Sequence, residues 1–179
     1  MIMKTEMVTT QEQELKNKQM KDIEELLSYS VPQSEYFRIL NSLVEILNNY
    51  ENISEDDSWV SFNKCKTGTV YRNILYHCPG KDNEDVLVVL KYDHAEVDFH
   101  YHSGEEHILV LEGYQETLNH EKYDELQPEL FSKIKDDRFN YTRDDGIVVN
   151  NVGTGHSVKS DHCLVLIHYK KLPEFPLSH

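Results

Sequence analysis

The hydrophobic periodicity of the chain changes at about residue 58, and before this point it is helical. Apolar residues recur there at the spacing of an amphipathic helix, most clearly at Tyr36, Ile39, Leu40, Leu43, Val44 and Leu47. A weaker stripe at Leu15, Ile23, Leu26 and Leu27 is broken by Gln19, and Thr10–Gln13 has the pattern of a capping box. We therefore predict that residues 1–57 form an N-terminal helical extension, packed on or near the rest of the chain. A partner-binding arm is the alternative.

From Ser58 onward, short β-branched and aromatic segments separated by turn residues predict strands. These segments are residues 58–62, 69–76, 86–92, 96–102, 107–112, 146–150 and 162–169. Such a series is typical of an all-β sandwich or barrel. Residues 115–143 are polar and interrupt it, so we interpret them as an insertion across one end of a barrel, with a short helix at 129–134. Residues 58–179 are thus predicted to form the barrel.

Composition narrows the classes of partner. The chain has 179 residues, is 39% hydrophobic and carries a formal net charge of −14, which disfavours binding to nucleic acid or to an anionic membrane. No apolar run is long enough to span a membrane, and Met1–Thr10 does not resemble a secretory signal. The three cysteines, Cys65, Cys78 and Cys163, do not form a disulfide or zinc-binding pattern, so we expect a cytoplasmic protein.

Histidines carry the chemistry that the sequence suggests. His100 and His102 face the same side of a strand because side chains two residues apart do so. A carboxylate follows the Ser103-Gly104 turn, and His156 comes about fifty residues later. Nitrogen and oxygen ligands of this kind suit iron, manganese, zinc, nickel or copper. The turn resets strand parity, so alternation alone does not choose between Glu105 and Glu106.

The spacing of these residues also forms two motifs. In the first, His100-Tyr-His102 is followed by three residues, Glu106, six residues and Gly113. In the second, Gly146 precedes Gly153-Thr-Gly-His156. The two motifs resemble those of the cupin superfamily, in which proline is usual at the position of Asn151. Within that superfamily the chain is most similar to ChrR-like cupin domain proteins.

This resemblance implies a fold and a set of metal ligands. The fold is a mainly β, cupin-type β-barrel, also called a double-stranded β-helix or jelly roll, here with the N-terminal helical extension. The implied ligands of one divalent metal are His100, His102, Glu106 and His156, which favours Glu106 over Glu105. Fe(II) is the expected metal, with zinc, manganese or nickel as alternatives. The sequence identifies no separate catalytic residue.

The implied function is enzymatic. Three imidazoles and one carboxylate leave coordination positions for a substrate and O₂, which favours a mononuclear non-haem metal-dependent dioxygenase acting on a small organic substrate. By analogy with the family, that substrate is a diketone, a hydroxyketone or a thiol. The alternative is a non-catalytic ChrR-like metal-binding or stress-sensing module whose helical arm binds a protein. A sugar or keto-acid isomerase is a weaker third possibility.

Two expectations concern strand faces. Ile108 to Leu111 are apolar on both faces of their strand, which suits an outer interface, so we predict a homodimer. His168 shares the parity of Leu164 and Leu166, and it faces the barrel lumen if they do.

Overall fold

The computed structural model describes residues 2–80, 84–120 and 137–175. Its helices are α1 (Ile2–Ser30) and α2 (Gln33–Asn49), and short 3-10 helices lie at Tyr50–Asn52 and Arg143–Asp145. The described strands are β1 (Val60–Phe62), β2 (Cys65–Cys78), β3 (Asp85–Tyr101), β4 (Glu106–His120), β5 (Asp137–Thr142), β6 (Ile147–Asn150) and β7 (Gly155–Tyr169). Neither helix, over its described residues, combines the length and apolar character that a membrane-crossing helix requires.

The strands form one antiparallel sheet that bends around a lumen. Neighbouring strands follow the order β1-β2-β3-β7-β4-β5, and β6 pairs with β4. Among the described residues this path does not close on itself, because β1 and β5 end it. β7 lies between β3 and β4, opposite His100 at one end and opposite Glu106 at the other. The bend of these long strands therefore decides which side chains meet inside.

The sheet is buried on both of its faces. Along β3, Val86, Val88 and Leu90 belong to an inner core, whereas Leu87 and Val89 belong to an outer core. A strand covered on both sides needs apolar residues at successive positions, which explains the unbroken apolar run in β3. Strand alternation alone could not assign these faces.

The N-terminal helices cover the outer face. Both helices bury their apolar stripes against β3, β4 and β7 in a cluster that includes Ile23, Leu26, Leu27, Ile39, Leu43, Leu87, Leu109, Leu111, Leu164 and Leu166. Gln19, which interrupts the stripe, is also buried, and its Nε2 donates a hydrogen bond to the Leu111 carbonyl. Leu111 lies where the pairing of β4 with β7 shifts its register. Gln19 therefore supplies a donor to a backbone carbonyl that the hydrogen bonds between the two strands leave without one. The helix predicted to begin at Thr10 begins earlier, because Thr10 lies inside α1.

Outer-face packing alters both expectations about strand faces. Leu109 and Leu111 contact the helices of the same chain, so they do not offer a surface to a second copy. The homodimer therefore stays a prediction without that support. His168 does share its face with Leu164 and Leu166, but the face is the outer one, where its ring lies 6.1 Å from that of Tyr29. The lumen position considered for His168 is wrong.

The structure also corrects the predicted strand boundaries. Residues 115–120 continue β4, and β5 pairs with them, so both ends of the predicted 115–143 insertion are strand. Their polar side chains concealed this. β5 is an edge strand, which needs little apolar surface, and the buried positions of β4 in this segment, Gln115 and Thr117, are themselves polar. Residues 121–136, including the predicted helix at 129–134, lie outside the described residues. β3 is continuous where two strands were predicted. The domain division at residue 57 stays a prediction.

Candidate metal centre

His100 and His102 lie where β3 ends. His100 is opposite His156 in the pairing of β3 with β7, which places the two imidazoles on neighbouring strands. The His102 amide donates to the Thr154 carbonyl at 2.9 Å, and the Gly153 amide donates to the His102 carbonyl at 2.7 Å. These backbone bonds attach the end of β3 to the turn before β7. The Gly153–Thr154 part of the second motif is therefore bonded to His102 of the first.

The Gly153 turn directs His156 inward. Gly153 has a φ of +82°, a left-handed conformation that glycine adopts without a steric penalty. The chain then enters β7 at Gly155, and His156 is buried beside His100. The ring centroids of His100 and His156 are 4.5 Å apart, and those of His102 and His156 are 4.8 Å apart. The structure thus brings together the three predicted histidines.

Glu106, the first residue of β4, lies against this group. Its Oε2 is 3.2 Å from Nε2 of His102 and 3.7 Å from Nε2 of His156. The Asn150 side-chain amide donates to the same oxygen at 2.7 Å, and the Tyr169 hydroxyl also hydrogen-bonds the carboxylate. Glu106 is 1% exposed, whereas Glu105 is exposed to solvent. The ambiguity that strand parity left between the two glutamates is therefore decided geometrically.

The donor set fits a divalent metal. One ligand atom from each of the three histidines lies within 4.8 Å of the others, and all three side chains are buried. The Nε2 atoms of His102 and His156 are 3.3 Å apart, close to the roughly 3.0–3.4 Å between ligands that are each about 2.1 Å from one metal ion. Nδ1 of His100 is bonded to the Asp98 carbonyl at 2.9 Å, which leaves its Nε2 lone pair for coordination. Converging lone pairs beside a carboxyl group suit a bound cation.

Burial sets the charge state of the ligands. It lowers the pKa of His100 to about 4, with a further contribution from His102, and it lowers the pKa of His102 to about 4. Burial raises the pKa of Glu106, although His100 and the hydrogen bonds from Asn150 and Tyr169 oppose the shift. The imidazoles are therefore neutral near pH 7, the form in which they bind metals.

These pKa shifts predict the pH dependence of stability in the metal-free protein. Between pH 6.5 and about 4 the unfolded chain protonates His100 and His102 and the folded chain does not, so the free energy of unfolding falls as the pH is lowered. One pKa unit corresponds to about 1.4 kcal/mol, so we expect a fall of several kcal/mol. The raised pKa of Glu106 acts in the opposite direction at low pH. Urea unfolding from pH 7 to pH 4.5 measures the effect. In the variant His100→Gln/His102→Gln the free energy of unfolding should depend less steeply on pH. A dependence as steep as that of the wild type would contradict the assignment of the effect to these two histidines.

A cavity of about 170 Å³ adjoins the centre. His100, Glu106 and His156 form part of its wall, together with Arg72, Tyr92, Gln115 and Tyr169. The rest of the wall is apolar and consists of Phe62, Val70, Ile74, Val86, Val88, Leu90, Val97, Ile108, Val158, Ile167, Leu172, Pro173 and Phe175. A mostly apolar cavity with a few convergent polar groups is the usual form of a small-molecule site.

The segment after β7 completes one side of this cavity. Phe175 packs on the His100 ring with a centroid separation of 5.0 Å. Glu174 pairs with Tyr101 through two backbone hydrogen bonds, and its carboxylate accepts from the hydroxyls of Tyr101 at 2.6 Å and Ser103 at 2.7 Å. These hydroxyls lower the pKa of Glu174, so the carboxylate stays ionised at neutral pH. The bonds hold Phe175 over the histidines.

Sequence reasoning did not assign five polar residues to the site. Asn150 and Tyr169 contact Glu106, and Arg72, Tyr92 and Gln115 line the cavity. Strand parity offered a partial signal for Tyr169, which lies on the same face of β7 as its inner-core residues. No local signal identified Gln115, because it lies in the polar segment that was interpreted as an insertion.

Comparisons with known proteins were made on both sequence and structure. No protein-family model matches the chain, and no curated protein matches it by sequence. A candidate acetylacetone dioxygenase from Methylibium petroleiphilum superposes with a TM-score of 0.50 at 12% identity, over 70% of this chain and 83% of that one. A cupin 2 conserved barrel domain protein from Rhodopseudomonas palustris superposes with a TM-score of 0.46 at 13% identity, over 67% of this chain and 77% of that one. An oxalate decarboxylase from Bacillus subtilis superposes with a TM-score of 0.41 at 16% identity, over 66% of this chain. The match covers 30% of the decarboxylase, so this chain spans less than a third of that protein.

At these identities the likeness shows the fold alone. The predicted mainly β, cupin-type fold with an N-terminal helical segment is confirmed, and over the residues that the structure describes its sheet does not close. The similarity to ChrR-like proteins stays a prediction. The histidine group indicates a divalent metal site, without establishing which metal it holds.

Proposed function

We propose that this protein is a mononuclear metal-dependent dioxygenase acting on a small, largely apolar organic molecule. The observation that carries the proposal is the direct contact of two features, a mostly apolar cavity of about 170 Å³ and a centre of three imidazoles and one carboxyl group. A centre that opens onto a cavity suits catalysis, whereas a purely structural metal site is closed by its own ligands.

The ligand set favours an anionic or chelating substrate group. Metal-bound imidazoles are neutral and a metal-bound glutamate is a carboxylate, so a divalent ion held by His100, His102, His156 and Glu106 keeps a net positive charge, in a wall that is otherwise mostly apolar. A bound Fe(II) ion would supply Lewis-acid and redox chemistry with O₂. An enolate or a carboxylate is therefore the kind of group that we expect the centre to attract.

The residues around the ligands position them and exclude water. The Asp98 carbonyl fixes the tautomer of His100, and Asn150 and Tyr169 fix the Glu106 carboxylate. Phe175 covers the His100 ring on the cavity side. A low-dielectric wall strengthens every charge interaction inside it and removes competing solvent.

The size of the cavity limits the substrate. A cavity of about 150 Å³ holds benzene, so the present one accommodates roughly six to ten non-hydrogen atoms. Diketones, hydroxyketones and small thiols of this size are the classes to test. The Methylibium neighbour, described as a candidate acetylacetone dioxygenase, adds a diketone to the panel by analogy of fold.

The test is oxygen consumption by iron-loaded protein. We expect anaerobically purified, Fe(II)-reconstituted protein to consume O₂ with at least one member of that panel, and zinc-loaded protein to consume none. Each substrate should be depleted in step with the oxygen, as followed by chromatography. Tight zinc binding without turnover on any member would instead support the non-catalytic metal-binding module.

A further inference from the structure

The cavity wall contains a buried amide whose hydrogen-bonding capacity is only partly used within the described part of the chain. Gln115 on β4 is 1% exposed, lines the cavity, and has no hydrogen-bond partner for its Oε1 among the described residues. Its Nε2 makes one long contact, 3.4 Å, with the hydroxyl of Tyr92, which also lines the cavity. The two side chains come from strands β3 and β4 and form a polar pair in a mostly apolar wall.

A buried amide oxygen without a partner is unfavourable, by an amount comparable to a lost hydrogen bond. Packing alone would be served better by leucine or methionine at this position, since the neighbouring inner-core residues are apolar. The long hydrogen bond from Nε2 to the Tyr92 hydroxyl leaves Oε1 without a donor among the described residues, on a side chain that lines the cavity. A molecule that enters the cavity can supply that donor.

We propose that Gln115 and Tyr92 form a second recognition point, which binds a neutral hydrogen-bonding group of the substrate. The substrate class is then a compact organic molecule with an apolar body, one anionic or chelating end for the metal centre, and a separate hydroxyl that donates a hydrogen bond to Oε1 of Gln115. This inference rests on the proposed function only in taking the same cavity as the substrate site. A cavity that rejects molecules lacking the second polar group would discriminate strongly, because the pair would then stay unsatisfied.

Phenol and toluene are a suitable probe pair because they have the same shape and differ in one hydroxyl. Isothermal titration of the full chain, both as purified and after removal of metal, should show phenol binding about tenfold more tightly than toluene. The variant Gln115→Met, which keeps the length of the side chain, should lose that preference in both forms. Gln115→Leu is a second variant with the same expectation. Both should fold at least as stably as the wild type, because they remove a buried unsatisfied group.

Thr117→Val is the matched control. Thr117 lies two residues further along β4, is 0% exposed and also has a buried hydroxyl without a partner in the described part of the chain, but it is not one of the residues that line the cavity. Its replacement should leave the preference for phenol unchanged.

The proposal is overturned if wild-type protein binds toluene as tightly as phenol or binds neither. It is also overturned if Gln115→Met keeps the preference, or if Thr117→Val loses it equally. Failure of the oxygenase proposal would appear differently, as the absence of oxygen uptake, and it would leave the binding of phenol to metal-free protein intact.

Discussion

Replacing both His100 and His102 with alanine is expected to abolish metal binding. The change removes two of the three imidazoles whose ligand atoms converge in the structure. Loss of a residue that only supports a metal ligand weakens binding about 10–100-fold, so loss of two ligands should exceed that range. Protein purified anaerobically from metal-supplemented cells should contain about one equivalent of metal, and the variant almost none, as measured by elemental analysis.

The control for this experiment is His162→Gln. His162 is an exposed residue of β7 that lies away from the centre. Its ring centroid is 6.0 Å from that of Tyr50. Its replacement should leave the metal content unchanged. His100→Gln/His102→Gln, which fills more of the space than alanine, guards against loss of metal through misfolding, and circular dichroism monitors the fold of each variant.

The identity of the metal then bears on the function. Iron in the wild type, lost in the double variant, would support the oxygenase and justify the full substrate panel. Zinc would favour the metal-binding or sensing module instead. Absence of metal from wild type and variant alike would contradict the four-residue centre.

Glu106→Gln is expected to have the second largest effect. The substitution keeps the size of the side chain but removes its negative charge from a site that is otherwise lined by neutral imidazoles. The raised net charge of the loaded site should weaken metal affinity by about 10–100-fold and reduce oxygen consumption at least in proportion. Competition with a chelator of known affinity measures the first quantity, and an oxygen electrode measures the second.

Glu105→Gln is the matched control for that change. The two glutamates are adjacent, but Glu105 is exposed and lies near Tyr29 on the outer face, where burial, then Glu25 and then Glu105 raise the pKa of the Tyr29 hydroxyl. We expect wild-type metal affinity from Glu105→Gln. Equal losses in the two variants would show a general effect of charge near the site, and a loss only in Glu105→Gln would reverse the assignment.

The extent to which the sequence predicted the centre differs among its residues. His100 and His102 could be paired from strand parity, because side chains two apart always share a face. His156 depended on a motif, since nothing local relates residues fifty positions apart. Gln115 and Tyr92 could not be paired at all: they lie on different strands, and only the bend of the sheet brings them into one cavity.

By itself, the sequence determined the local periodicities, the change from helices to strands and the shared orientation of His100 and His102. These depend on backbone geometry, which repeats every 3.6 residues in a helix and every two in a strand. The tertiary structure alone decided which face of each doubly buried strand is the lumen, and so placed His168 outside. It also buried Glu106 beside the histidines and left Glu105 in solvent, the choice that motif spacing had favoured and strand parity had left open, and it placed α1 and α2 over Leu109 and Leu111. The physical reason is that an apolar side chain is satisfied by any apolar neighbour, so its hydrophobicity predicts that it is buried but not what buries it.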